Sequence, residues 1–226
     1  APLSIYWNAA WFRLLGVGYP TLIVLNLFTL FFIIFLLRDW LRGIGGRFAT
    51  FMSICVFLTV FAFCRNFYFG NFNYITPYSH PLVHGLAMLL CILCLLKRWE
   101  NSQKTAVSVF IGVLFGLAII SKIEIAISAI AIIFSYFAAQ FFDKKKSIGR
   151  KKIVTFTLAA CLSIMSVLLL LSQIMPFENA VSGVFHQWIL MFNGKLSVLN
   201  KSYFVMHNMG TDNVLGNIVI MFAYGV

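Results

Sequence analysis

Between Thr105 and Phe142 the chain carries only two charged side chains, Lys122 and Glu124, and they stand together at the centre of an apolar stretch. No water-exposed helical pair can be built from such a segment. The same pattern recurs along the chain. Apolar stretches cover 20–37, 48–64, 81–96, 105–120, 125–142 and 153–175, and a further one begins near Asn217. A helix needs about 20 mainly apolar residues to cross a bilayer, with a range near 17–25. The shorter stretches reach that length by borrowing interfacial residues at their ends. Composition agrees: 62% of the 226 residues are apolar and 10% charged, with mean hydropathy +0.95. A soluble domain averages about 25% charged residues. There is too little polar side chain here to clothe a globule in water.

The expected fold is therefore all-α: a polytopic transmembrane helical bundle of about six spans within about 20–175, with a seventh starting at about 217–226. The formal charge of +11 is placed as topology requires. The links "RDWLRGIGGR" (38–47), "KRWENSQK" (97–104) and "DKKKSIGRKK" (143–152) hold three, three and six of the seventeen Lys and Arg residues. They alternate along the chain, so all three can lie on the cytoplasmic side. The remaining five (Arg13, Arg65, Lys122, Lys195 and Lys201) then fall outside. Confinement to short links, with no basic stripe and interleaved aromatics, excludes a nucleic-acid partner.

This orientation places 1–19, 65–80, 121–124 and 176–216 on the external face. Residues of about 1–17 read as an interfacial helix with Ile5, Trp7, Trp11, Leu14 and Leu15 along one side. The segment 176–216 is too long for a turn and reads as a small external cap. Asn200-Lys201-Ser202 fits the glycosylation sequon. The N-terminus has no initiator Met and no signal-peptide pattern, and the C-terminus stops in an apolar run. Both ends read as cuts in a longer chain.

Several short motifs have plain structural readings. Cys91 and Cys94 form a CxxC inside a span, which is read as packing. "GIGGR" (43–47) lacks the preceding strand and the Lys of a phosphate loop, and is a cytoplasmic turn. Gly112 and Gly116 form a GxxxG, the spacing at which helix backbones approach closely.

Three constellations carry chemistry. "NYITPYSHPLVHG" (73–85) lies at the outer end of the third span. Pro81 suits a first helical turn, Ser79 or His80 can cap it, and the helix N-terminus with Tyr78 and His80 could hold a lipid phosphate. His80 and His84 share a helix face, and their readings are substrate contact, interfacial hydrogen bonding or metal; no carboxylate or cysteine completes a metal shell. In "LAIISKIEIAIS", Lys122 and Glu124 occupy the outward junction of spans four and five. They read either as the polarity of an ordinary turn or as cavity-lining charges that pair with each other. In the external segment, aromatic, amide and carboxylate groups such as Glu178, His186 and Trp188 suit a sugar, as they also suit a folded loop.

These stretches resemble a family. "PYSHPLVHG" at the outer end of a span looks like the PYS-type motif of bacterial polytopic glycosyltransferases of the C superfamily. These are relatives of the dolichyl-phosphate-mannose protein mannosyltransferases and the lipid A aminoarabinose transferases. "GLAIISKIEIAISA" (116–129) resembles their "GL…TKPE" segment, with Ser121 and Ile123 where Thr and Pro are common. "APLSIYWNAAWFRLLG" is similar to the stretch that closes their first external loop. "SYFVMHNMGTDNVLGN" (202–217) looks like an external motif in which Arg and Pro are replaced here.

The resemblance implies a cell-envelope enzyme of the cytoplasmic (inner) membrane, active at its external, periplasmic face. It would move a sugar from a polyprenyl-phosphate donor to a lipid, glycan or protein acceptor, with no cofactor. Tyr78, Ser79, His80 and Lys122 would serve the donor phosphate or cavity wall. Glu124 would orient Lys122 or a sugar hydroxyl, and Tyr203, His207 and Asp212 would belong to an external lid. The family's catalytic carboxylate lies upstream of "APLSIYW". No Asp or Glu precedes Asp39, which is assigned to the cytoplasmic side, so the general base is expected outside this fragment. The alternatives are a lipid-linked-sugar flippase or secondary transporter, which calls for mid-span charges and an internal repeat, and a non-catalytic membrane scaffold.

Overall fold

In lipid every backbone N–H and C=O must be satisfied within the protein, which leaves helices and closed barrels as the spanning structures. The computed structural model describes residues 2–63, 74–75, 77, 79–99, 104–142 and 149–192, and these form helices with no strand among them. They are α1 (Pro2–Leu15), α2 (Tyr19–Val56, continued by a π-helical turn Phe57–Ala62), α3 (His80–Trp99) and α4 (Thr105–Ile119), followed by α5 (Ile123–Phe142), α6 (Arg150–Ser172) and α7 (Phe177–Phe192). Four helical stretches are long and apolar enough to cross a membrane: Tyr19–Ala62, α3, α5 and α6, with α4 a shorter apolar helix. Hydroxyls inside them bond back to their own helix, as Thr29 Oγ1 does to Leu25 O at 2.9 Å and Ser166 Oγ to Leu162 O at 2.7 Å. No span therefore carries a bare hydroxyl at those positions.

Tyr19–Ala62 folds back on itself. Gly46 has φ 72° and ψ −171°, outside the helical region. Beyond it, Ala62 O accepts the N–H of Tyr74 at 3.0 Å, while Asn26 Nδ2 donates to Ile75 O at 2.7 Å. Tyr74 and Ile75 are neighbours, so residues 26 and 62 lie close together. In one straight helix they would be about 54 Å apart, at 1.5 Å per residue. The 38–47 link is thus helical almost throughout, and the expected turn narrows to Gly46, where the positive φ favours glycine.

The helix ends sort into two groups. Asp39 pairs with Arg98 at 3.5 Å, Trp99 Nε1 donates to Ser108 Oγ at 2.7 Å, and Lys152 Nζ donates to Trp99 O at 3.1 Å. Trp99 stacks on Tyr136 at 5.7 Å and meets Phe156 at 5.8 Å. The described residues of all three basic links therefore meet at one end of the bundle. The starts of α2, α3 and α5 and the α4–α5 turn lie at the other.

The tightest helix contact is α4 on α6. A Cβ on Gly112 would stand 2.8 Å from Ala159 Cβ, and one on Gly116 would stand 2.5 Å from Ala160 O, both closer than atoms can approach. Lipid gives little hydrophobic drive between helices, so close van der Waals packing through small residues holds them together. The GxxxG reading is realised here. Cys94 is buried in the core with its Sγ against Leu36 O at 3.5 Å, and both Cys91 and Cys94 are free thiols, which fits packing. Outside, Phe31, Phe134, Phe141 and Phe142 are 67–82% exposed, a surface suited to acyl chains.

α1 lies against α2 and α3. Its Trp7 and Trp11 meet edge-on at 5.9 Å. At about 100° per residue, Ile5 falls on the side opposite Trp7, Trp11 and Leu14. It does not join their stripe as expected. Gly16, at φ 88°, ends α1 and receives the Thr21 hydroxyl at 2.8 Å on its carbonyl. The segment expected as a cap begins with α7, which buries Ala180 and Val184 against Leu168 and Leu171 of α6. The rest of that segment, the seventh stretch and the sequon lie outside the described residues.

Gly116→Leu is expected to lower stability by about 1–3 kcal/mol through overpacking against Ala160 and Ser163. Gly183→Ala is the control, because a Cβ there meets nothing within 4 Å. Thermal unfolding in detergent, followed by helical circular dichroism, should show a lower midpoint for the first variant and no loss for the second.

Candidate functional site at one end of the bundle

α3 begins where the sequence pattern places it. His80 is its first residue and Pro81 lies in the first turn. The anion-holding capacity of that turn is smaller than expected. Pro81 has no N–H, and the Leu82 N–H already donates to Ser79 O at 3.1 Å. Side chains, more than free amides, must carry any recognition here.

Those side chains form a polar patch between α1 and α3. Ser4, buried at 4% exposure, hydrogen-bonds through Oγ to His84 Nδ1 at 2.9 Å. Trp7 packs edge-on to His84 at 6.5 Å, and the His80 and His84 rings lie 6.3 Å apart. His80 Nδ1, His84 Nε2 and Asn8 Oδ1 are all buried with no hydrogen-bond partner among the described residues. Asn8 follows Ser4 by four residues and so shares its face of α1. Buried polar atoms are nearly always satisfied, by protein, water or ligand. Three in one patch mark a place where a polar ligand or ordered water has partners waiting.

The second constellation is the α4–α5 turn. Only Ile120, Ser121 and Lys122 separate the helices, and Lys122 Nζ pairs with Glu124 Oε1 at 3.3 Å. The Lys122 side chain is 26% exposed and Glu124 56%. The two charges pair with each other, an arrangement that an ordinary polar turn and a functional pair would share. α7 clamps this turn. Gln187 Oε1 accepts the Ile123 N–H at 2.9 Å, and Trp188 Nε1 donates to Ile119 O at 3.1 Å. One groups an orphan donor at the start of α5, the other an orphan acceptor at the end of α4.

Gly85 links the two constellations. A Cβ on it would come within 2.6 Å of Ile125 Cδ1, so α3 and α5 touch one residue beyond His84 and one beyond Glu124. His80, His84, Ser79, Lys122 and Glu124 therefore belong to the same end of the bundle. Tyr78, Tyr203, His207 and Asp212 lie outside the described residues. Among the described residues, no group of three or more His, Cys, Asp or Glu gathers at metal-binding distance.

Ser4, Asn8 and Gln187 were missed as site residues. The first two had a signal, a pair of small polar residues four apart on an otherwise apolar helix. Gln187 had none, because its role depends on how α7 docks. Comparison of the chain with protein-family models, curated proteins and solved structures finds no match in any of the three.

Gln187→Ala should leave the Ile123 amide without its acceptor. A loss of about 1 kcal/mol of local stability corresponds to roughly fivefold faster amide exchange at residues 120–124. Hydrogen–deuterium exchange should find that increase there and little change in the α4–α6 contact.

Proposed function

We propose that the chain belongs to an integral membrane glycosyltransferase of the cytoplasmic membrane that transfers a sugar from a polyprenyl-phosphate donor at the external face. With the two arms of Tyr19–Ala62 and the shorter α4 counted separately, the bundle would make six crossings. The basic end would be cytoplasmic by the charge bias of its links. The His80–Lys122 end would then face outward. The observation that carries the reading is the meeting, at one end of an apolar bundle, of Lys122 and the unpartnered His80–His84–Asn8 patch. The Lys122 cation suits a lipid-borne phosphate, and the histidine nitrogens and the Asn8 amide oxygen suit the hydroxyls of a sugar beside it.

In this reading the acceptor hydroxyl attacks the anomeric carbon. A C–O bond forms there as the bond from that carbon to the phosphate oxygen breaks. The hydroxyl proton passes to a base, expected from a carboxylate on an upstream loop, and polyprenyl phosphate leaves as the anion. Lys122 offsets the charge that grows on the leaving phosphate. Glu124 holds the ammonium in place before the donor arrives and orients it, or a sugar hydroxyl, afterwards. His80, His84 and Asn8 would contact the sugar or phosphate oxygens. A lid from residues 203–212 would exclude water. The acceptor is a lipid, a glycan or a protein.

The full-length protein in membranes should transfer radiolabelled sugar from a polyprenyl-phosphate donor. Lys122→Ala should lower kcat/KM by about 10–100-fold, as expected for loss of a charged hydrogen bond. Lys122→Arg should keep much of the rate. Donor affinity and turnover unchanged in Lys122→Ala would remove Lys122 from the site. No turnover with any donor, in membranes holding folded protein, would favour the flippase or transporter.

A further inference from the structure

A second feature lies at the opposite end from the His80–Lys122 patch. A groove of about 690 Å³ opens between α2, α3 and α5, with Trp40, Leu93, Leu96, Lys97, Ile132 and Ser135 on its walls. Ligand sites run at about 300–1,000 Å³. Leu93, Leu96, Ala131 and Ile132 give it apolar walls, and Trp40, Lys97, Ser135 and Tyr136 bring polar groups to it. Lys97 reaches across to α2. A Cβ on Gly43 would lie 2.5 Å from its Nζ, so the ammonium rests against the α2 backbone at Gly43. Arg98 has Asp39 as an ion-pair partner, whereas Lys97 takes part in no ion pair among the described residues.

The described charge at this end is one-sided. Among the described residues of the three links, nine Lys and Arg stand against one acidic residue, Asp39. A groove with apolar walls, bearing an indole and an ammonium that has no ion-pair partner among the described residues, matches one kind of molecule in a bilayer. It takes an acyl chain along its length and a phosphate at its mouth.

We infer that this groove is a binding site for an anionic diacyl phospholipid, with an acyl chain against Leu93 and Ile132 and the headgroup phosphate on Lys97. Basic pockets between helices on the cytoplasmic side are where anionic headgroups bind. The site stands apart from the proposed donor site and does not depend on the transferase reading. Zwitterionic lipid would fit the groove but gain less from the Lys97 cation. Ala131, also on the wall, gives an independent handle, since a larger side chain there fills the slot without altering charge.

The test uses the full chain purified from vesicles of equal parts phosphatidylglycerol and phosphatidylcholine, with retained lipid counted by native mass spectrometry. Wild type should retain phosphatidylglycerol in preference to phosphatidylcholine. Lys97→Gln should lower that preference about fivefold, Lys97→Arg should keep it, and Ala131→Phe should reduce retention of phosphatidylglycerol as well. Lys151→Gln removes the same charge from the same end at the start of α6, away from the groove, and should change nothing. Equal retention of both lipids by wild type would overturn the inference. So would a Lys151→Gln effect as large as that of Lys97→Gln, which would mean that net charge, with no particular site, holds the lipid. Helical circular dichroism of each variant separates lost binding from lost fold. If Lys97→Gln fails to fold, retention by Lys97→Arg against its loss in Ala131→Phe still decides the matter.

Discussion

Everything polar in this protein is arranged by the cost of placing a charge inside an apolar bundle. An ionisable side chain at the centre of a span is expensive, and one at a span end is tolerable. The described Lys, Arg, Asp and Glu residues accordingly sit at helix ends or near the Gly46 kink where α2 folds back. Inside, hydroxyls bond to their own helix, and Asn26 Nδ2 holds the chain ahead of α3 through Ile75 O, while its buried Oδ1 has no partner among the described residues. Chemistry is pushed to the two faces. One face collects cations, aromatic rings and a lipid-sized groove. The other collects two histidines, a Lys–Glu pair and the small polar residues of α1.

What holds the ends in register is close packing in between. α4 and α6 approach until Gly112 and Gly116 have no room for a Cβ, and Gly85 lets α3 meet Ile125 of α5 in the same way. The second contact matters most for function, because it brings the start of α3 beside the start of α5. A bulkier residue at 85 would separate His84 from Glu124 without touching either. α7 adds a third restraint by capping both sides of the α4–α5 turn, so a helix outside the long apolar stretches sets the geometry at Lys122.

Much of this was legible in the sequence, for physical reasons that can be named. The length and spacing of apolar runs located α3 to α6 to within a few residues, because lipid forces each into a complete helix. The basic links predicted which ends meet, and Arg98–Asp39 and Lys152–Trp99 show them meeting. The GxxxG declared itself because few other reasons put two glycines four apart in a span. Features set by docking were not legible. Gln187 and Trp188 look like ordinary residues of an external segment until α7 is laid on α6. Ser4 gains its meaning only from His84, eighty residues away. Ile5 stays off the expected stripe because the helical angle turns it to the side opposite Trp7, Trp11 and Leu14.

The central claim is that the sugar donor binds at the His80–Lys122 end and not at the basic end. A photo-crosslinking analogue of a polyprenyl-phosphate sugar, added to membranes holding the full-length protein and mapped by peptide mass spectrometry, tests it most directly. Adducts concentrated in residues 79–84 and 120–125, and lost on competition with unlabelled donor, are the predicted result. Competable adducts concentrated in residues 36–40 and 93–99, with none near His80 or Lys122, would contradict the account.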